Sequence, residues 1–175
     1  MAKARAKPTF LLRHDVTTDD TTQVQDTLDV SAFVDVPEGQ VLLIKRAWIN
    51  YCNSSDGHGV VGSASAANTA PCISACSTTR VFDTMQPSSE PSMISKGYLH
   101  WANDGSQDLT FYKETKQLEP GQYEDGFYCA GTSITCTVDS SSTLASEVTV
   151  SFIFECQQIK MTKDEALAKA VSLTQ

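Results

Sequence analysis

At 175 residues, of which 41% are hydrophobic, the chain is long enough to bury one sizeable core and too short for two comfortable ones. A net charge of -8 excludes a generally basic, polyanion-binding surface, and no purely apolar run exceeds four residues, where a membrane-crossing helix needs about 20. No repeat of fixed period runs through the sequence, which excludes a solenoid or a propeller.

The charge is unevenly placed. Lys3, Arg5, Lys7 and Arg13 all precede the first acid, Asp15, so the first 14 residues carry +4 and the remainder -12. A secretory signal needs an apolar stretch of about 7–15 residues after its basic start, whereas Phe10–Leu12 is the longest here, and Pro8 interrupts the helix a mitochondrial presequence would form. Residues 1–14 are therefore expected to be a basic arm, and residues 15–175 a single domain. The protein is expected to be made in the cytoplasm without a signal peptide.

Strand formers come in short bursts separated by Gly, Pro, Asn, Asp and Ser, an all-β pattern. Leu28, Val30, Ala32, Val34 and Val36 fall on every second residue, which predicts a strand with one buried face. Pro37, Glu38 and Gly39 break the run. A second strand is expected over 41–51, joined to the first by a tight turn. Its face of Val41, Leu43, Ala47, Ile49 and Tyr51 is backed by an opposite face of Leu42, Ile44 and Trp48, so it is expected to lie between packed layers. The following segment, 52–78, is small and polar with no clear period and is read as a long loop. Shorter strands are expected at 9–13, 79–83, 93–101, 109–114, 126–130 and 134–138. Val148, Val150, Phe152, Phe154 and Cys156 alternate without interruption and mark a core strand. The chain closes on a short helix over 162–173, where Thr162 and Glu165 have the spacing of a capping box and Met161 can staple onto Ala166. Together these elements are expected to form a two-sheet sandwich of jelly-roll or related Greek-key type with about eight strands.

Residues that could carry chemistry are few and scattered. His14, His58 and His100 are scattered, and no second cysteine pair joins Cys72 and Cys76 at zinc-ligand spacing, so no metal or other cofactor is expected. Under oxidising conditions Cys72–Cys76 and Cys129–Cys136 are the disulfide partners offered by spacing, the latter across a hairpin at 131–133; otherwise the cysteines read as small buried hydrophobes. Asp56-Gly57-His58-Gly59 combines an acid, a base and two glycines, yet this is ordinary turn chemistry. No nucleophile, phosphate loop or metal motif appears, and no enzymatic activity is expected.

A short basic arm, one sandwich of about eight strands, long loops and no catalytic motif: in this the chain resembles the small single jelly-roll capsid proteins of icosahedral viruses. The resemblance implies a virion subunit that assembles with copies of itself, and with other virion proteins, into a closed shell. Strand faces and terminal segments would make the contacts. Lys3, Arg5, Lys7 and Arg13 would face nucleic acid or another anionic partner, without reading sequence. Two further classes share the composition: a sandwich binding module stacking sugars on Tyr98, Trp101, Tyr123 and Tyr128, and an extracellular filament or surface-layer subunit.

Overall fold

The computed structural model describes residues 8–59, 70–103, 109–123 and 125–172. They form nine strands, β1 (Thr9–Thr18), β2 (Val24–Asp29), β3 (Gln40–Asn53), β4 (Cys72–Thr78), β5 (Met93–Asn103), β6 (Leu109–Leu118), β7 (Phe127–Cys129), β8 (Ser133–Ser140) and β9 (Val148–Lys160), and one helix, α1 (Lys163–Ser172). The strands make two antiparallel sheets, ordered β1-β9-β3-β7 and β2-β8-β4-β5-β6. With β6 set aside, β1 pairs with β9, β2 with β8, β3 with β7 and β4 with β5. These are the nested pairs of one long hairpin rolled on itself, which is the jelly-roll wrapping. β6 is an addition to the outer side of β5.

The core lies between the sheets. Val148, Val150, Phe152, Phe154 and Cys156 on β9 are all fully buried, as the period-two pattern requires, and Trp101, Leu99, Ile73, Ile134 and Val138 meet them from the other sheet. Each large side chain so placed contributes about 1.5–3 kcal/mol relative to exposure.

β3 resolves the puzzle of its two apolar faces. Ile44 pairs with Cys156 and Arg46 with Glu155, so Lys45 is an extra residue that forms a β-bulge. Leu42 and Ile44 before it, and Ala47, Ile49 and Tyr51 after it, all join the one core. Val41 points the other way, into a second, small cluster under α1, and Trp48 is left half-buried on the outer face. Gly126 (φ 93°) receives the bulge, because a Cβ there would lie 2.6 Å from the Ile44 carbonyl oxygen and 3.3 Å from Lys45 Cα.

Three expected elements differ. The alternating run from Leu28 to Val36 is not one strand, and no hairpin follows it, since β2 and β3 belong to different sheets. Asp29 accepts from the Ser31 amide at 2.8 Å and Asp35 from the Glu38 amide at 3.1 Å. These side-chain bonds compete with the sheet ladder and wind 31–33 and 36–38 into 3₁₀ turns that carry the chain across. The expected loop 52–78 is shorter, because β3 runs to Asn53 and Cys72–Thr78 is a strand bonded on both sides, to β5 and β8. Residues 79–83 form no strand. They begin a segment that crosses the outer face of the five-stranded sheet, tied by Gln23 Nε2 to the Phe82 carbonyl (3.1 Å) and by Lys96 Nζ to the Gln86 carbonyl (2.5 Å).

α1 opens on the capping box: the Thr162 amide donates to Glu165 Oε2 at 2.9 Å and the Glu165 amide to Thr162 Oγ1 at 3.3 Å. The Thr162 amide and the Thr162 hydroxyl both donate to the Glu165 carboxylate and hold it below its ordinary pKa. Ala166 and Ala170 face Val41, Ile159 and Met161, while Leu167 and Val171 face outward. Val150→Asp is expected to cost at least about 3 kcal/mol in denaturant unfolding, since a lone carboxylate would lose its hydration in the core. Gly39→Ala is expected to cost about 1–3 kcal/mol in the same measurement, because φ is 71° there and a Cβ would run into the Met161 carbonyl oxygen.

Candidate functional site

Lys3, Arg5 and Lys7 lie outside the described residues. Arg13 does not belong to a separate arm: β1 begins at Thr9, so residues 9–14 are sheet, and Arg13 stands exposed on the outer face opposite Ile153. The reason is the alternation of Phe10, Leu12 and His14, which turn inward, with Phe10 stacked on Phe33 at 4.8 Å between ring centres. In the same outer row lies Trp48, beyond Ile153. Next to it Arg46 Nε is 3.6 Å from Glu155 Oε2.

His14 marks the edge where the two sheets meet. Its Nε2 lies 3.2 Å from Asp26 Oδ2 on β2, outside hydrogen-bond geometry, and the contact is ionic when the imidazole is protonated. The other oxygen of Asp26 accepts from the Thr27 amide at 2.7 Å. Val30 donates to the Thr132 carbonyl, on the β8 side, so ladder alternation turns the Thr27 amide to the outer edge of β2. Asp26 therefore occupies a donor that an incoming strand would need. Asp20, before β2, and Asp29, its last residue, take the Thr21 and Ser31 amides in the same way, and those bonds depress both carboxyl pKa values. The aspartates show in the sequence only as charge; that they stop an edge needs the strand order.

Asp56-Gly57-His58-Gly59 is a turn. Asp56 Oδ1 accepts from the His58 amide at 3.0 Å, Gly57 has φ 70°, and the Asn53 amide donates to the His58 carbonyl. A shallow, open depression of about 180 Å³ beside it is lined by Asn53, Ser54, Ser55, Ser146 and Glu147. Among the described residues no three His, Cys, Asp or Glu side chains converge to hold a metal. Nor are the four candidate stacking aromatics gathered. Trp101 is wholly buried, Tyr98 lies on the opposite face of β5, Lys169 Nζ covers the Tyr128 ring at 4.6 Å, and Tyr123 meets Phe127 edge-on.

All six cysteines are free. Cys72 and Cys76 are four residues apart on β4, about 13 Å along a strand and beyond disulfide reach. Cys129 and Cys136 lie on different sheets, so the hairpin expected at 131–133 is a crossing between layers. Burial pushes the thiols of Cys76 and Cys129 up to about 11 and that of Cys156 to about 12; it raises Cys136 well above its ordinary value, with the charges of Cys76 and Asp26 adding to the shift. Such thiols are protonated and inert at neutral pH. In the unfolded chain they titrate near their ordinary values, so their contribution to stability is complete below about pH 9 and is lost as pH rises through the folded values. A thiol reagent at pH 8 is expected to label Cys76, Cys129, Cys136 and Cys156 only after denaturant is added, and the unfolding temperature to fall steadily between about pH 9 and pH 11.

No protein-family model matches the sequence, and no curated protein matches it. Among solved structures the chain is similar to dimeric latent PorU from Porphyromonas gingivalis, at 12% identity and a TM-score of 0.37 over 91% of this chain, which spans only 14% of that chain. It is also similar to VP1 of the Trichodysplasia spinulosa-associated polyomavirus, solved with sialylated glycooligomers, at 8% identity and a TM-score of 0.38 over 92% of this chain and 97% of that one. Among the described residues no helix is long and apolar enough to cross a membrane. What the chain itself displays is a jelly-roll sandwich with one strand added.

Proposed function

We propose that the protein is a structural subunit that associates with copies of itself into a closed shell, the capsid of a virion, and that it turns over no substrate. The observation that carries this reading is the nesting of strand pairs β1·β9, β2·β8, β3·β7 and β4·β5 in one acidic domain. Such a roll is a stiff block whose loops lie at its ends and whose sheet faces and edges lie at its sides, a shape that tiles a surface. The outer row of Arg13, Ile153 and Trp48, and the outward Leu167 and Val171 of α1, supply contact surface of mixed character. The cations before Thr9 lead into β1 at the edge of the four-stranded sheet, from which they would reach a nucleic acid that the acidic body repels.

The test is direct. The purified protein is expected to sediment as large particles visible by electron microscopy, and removal of residues 1–7 to leave the unfolding temperature unchanged while lowering the nucleic acid retained. With every cation of residues 1–13 bound to phosphate, log affinity should fall with log salt at a slope no steeper than about -4. A protein that stays monomeric at all concentrations and salt conditions would end the reading.

A further inference from the structure

β6 ends the five-stranded sheet, and no described strand pairs with its outer edge. Trp101 donates to the Pro71 carbonyl, on the β4 side of β5. Backbone groups alternate in direction along an antiparallel ladder, so Tyr98 and His100 turn towards β6, where they meet Thr115 and Lys113. Glu114 and Lys116 therefore present their N–H and C=O groups to the outer edge. Their side chains are exposed; Lys116 Nζ lies 3.9 Å from Glu119 Oε2 on the surface. The other edges differ. Asp26 closes β2, β7 is three residues long, and β1 is held against β2 through His14.

We infer that β6 pairs with β6 of a second copy, antiparallel about a two-fold axis through Thr115, so that the five-stranded sheet continues from one subunit into the next. An axis perpendicular to the sheet keeps both inner faces on one side, so residues that meet must share a face. That leaves a short series of registers. Centred on Lys113, the pairing sets Lys113 against itself, and centred on Glu114 it sets Glu114 against itself; both are destabilising. Centred on Tyr112, it sets Glu114 against Thr110 and leaves Lys116 opposite position 108, beyond the end of β6. Centred on Thr115, it sets Glu114 against Lys116 of the second copy and Lys116 against Glu114, and these residues, with their backbone groups turned outward, exchange both ladder hydrogen bonds. The irregularity after Lys116, where Gly97 pairs with Lys116 and Lys96 with Leu118, ends the pairing. Lys116, a charge that discourages an arbitrary strand from adding here, finds an acid in register on another copy of this chain.

The inference rests on the assembly reading for its premise that copies associate, and the experiment separates the two. Thr115→Cys is expected to form an intermolecular disulfide on mild oxidation, because residues opposed across a non-hydrogen-bonded pair have Cα atoms about 4.5 Å apart, within disulfide range. Lys113→Cys, which the register offsets by four residues from its own copy, is expected not to cross-link. Glu114→Lys and Lys116→Glu are each expected to weaken dimerisation in sedimentation equilibrium about tenfold or more, and the double exchange to restore it. Cross-linking through residue 113 in place of 115, or single reversals that leave the dimer unchanged, overturns the inference. Shells assembled from Thr115→Cys protein that never cross-links overturn it too, while leaving the assembly reading intact. A wild type that dimerises with this register and forms nothing larger upholds the pairing and ends the shell.

Discussion

The position of β9 between β1 and β3 is the constraint from which the rest follows. Its inward residues, Val148 to Cys156, are wholly buried, and its two neighbours come from the first third of the chain. The sequence must therefore close on itself over some 140 residues before the four-stranded sheet exists. Once β9 is seated, the nested pairs have only one way to continue inward, β2 with β8, then β3 with β7, then β4 with β5. Late, long-range closure of this kind is slow to form.

The parts legible in the sequence are those where local pattern and tertiary demand agree. β9 shows its period because each inward residue is large and apolar, and α1 shows its start because Thr162 and Glu165 cap one another without help from elsewhere. β4 is hidden for the opposite reason: around Ile73 and Thr78 the segment Cys72–Thr78 is Ser, Ala and Cys, with little strand preference, and the bonds to β5 and β8 on either side decide its conformation. The run from Leu28 to Val36 misleads because Val30 and Val34 do reach the core, but along 3₁₀ turns set by Asp29 and Asp35. Arg13 was legible twice, as a cation of the basic arm and as the end of a short strand over 9–13; the pairing with Ile153, within a strand that runs on to Thr18, decides for the sheet.

Residues proposed to act through association are harder to read in a sequence than catalytic ones. A catalytic group announces itself by type and spacing, whereas Glu114 and Lys116 are ordinary surface charges until the strand order shows that they end a sheet. The aspartates around β2 have the same status. Composition gives the sum of such charges, and topology gives them a direction. The contrast between an edge closed by carboxylates and an edge carrying both signs distinguishes the two ends of one sheet.

The bulge at Lys45 has a further meaning for how the chain can change in length. Elsewhere in a strand with one buried face, losing a residue exchanges inside for outside along everything that follows. In β3 the phase is already broken by one residue, so a single deletion nearby can be absorbed by straightening the strand: Ile44 would still point in, Arg46 out and Ala47 in. What is lost is the protrusion that Gly126 accommodates. β3 thus holds one spare residue in the middle of the core, where insertions and deletions are otherwise least tolerated, and the glycine opposite is what makes room for it.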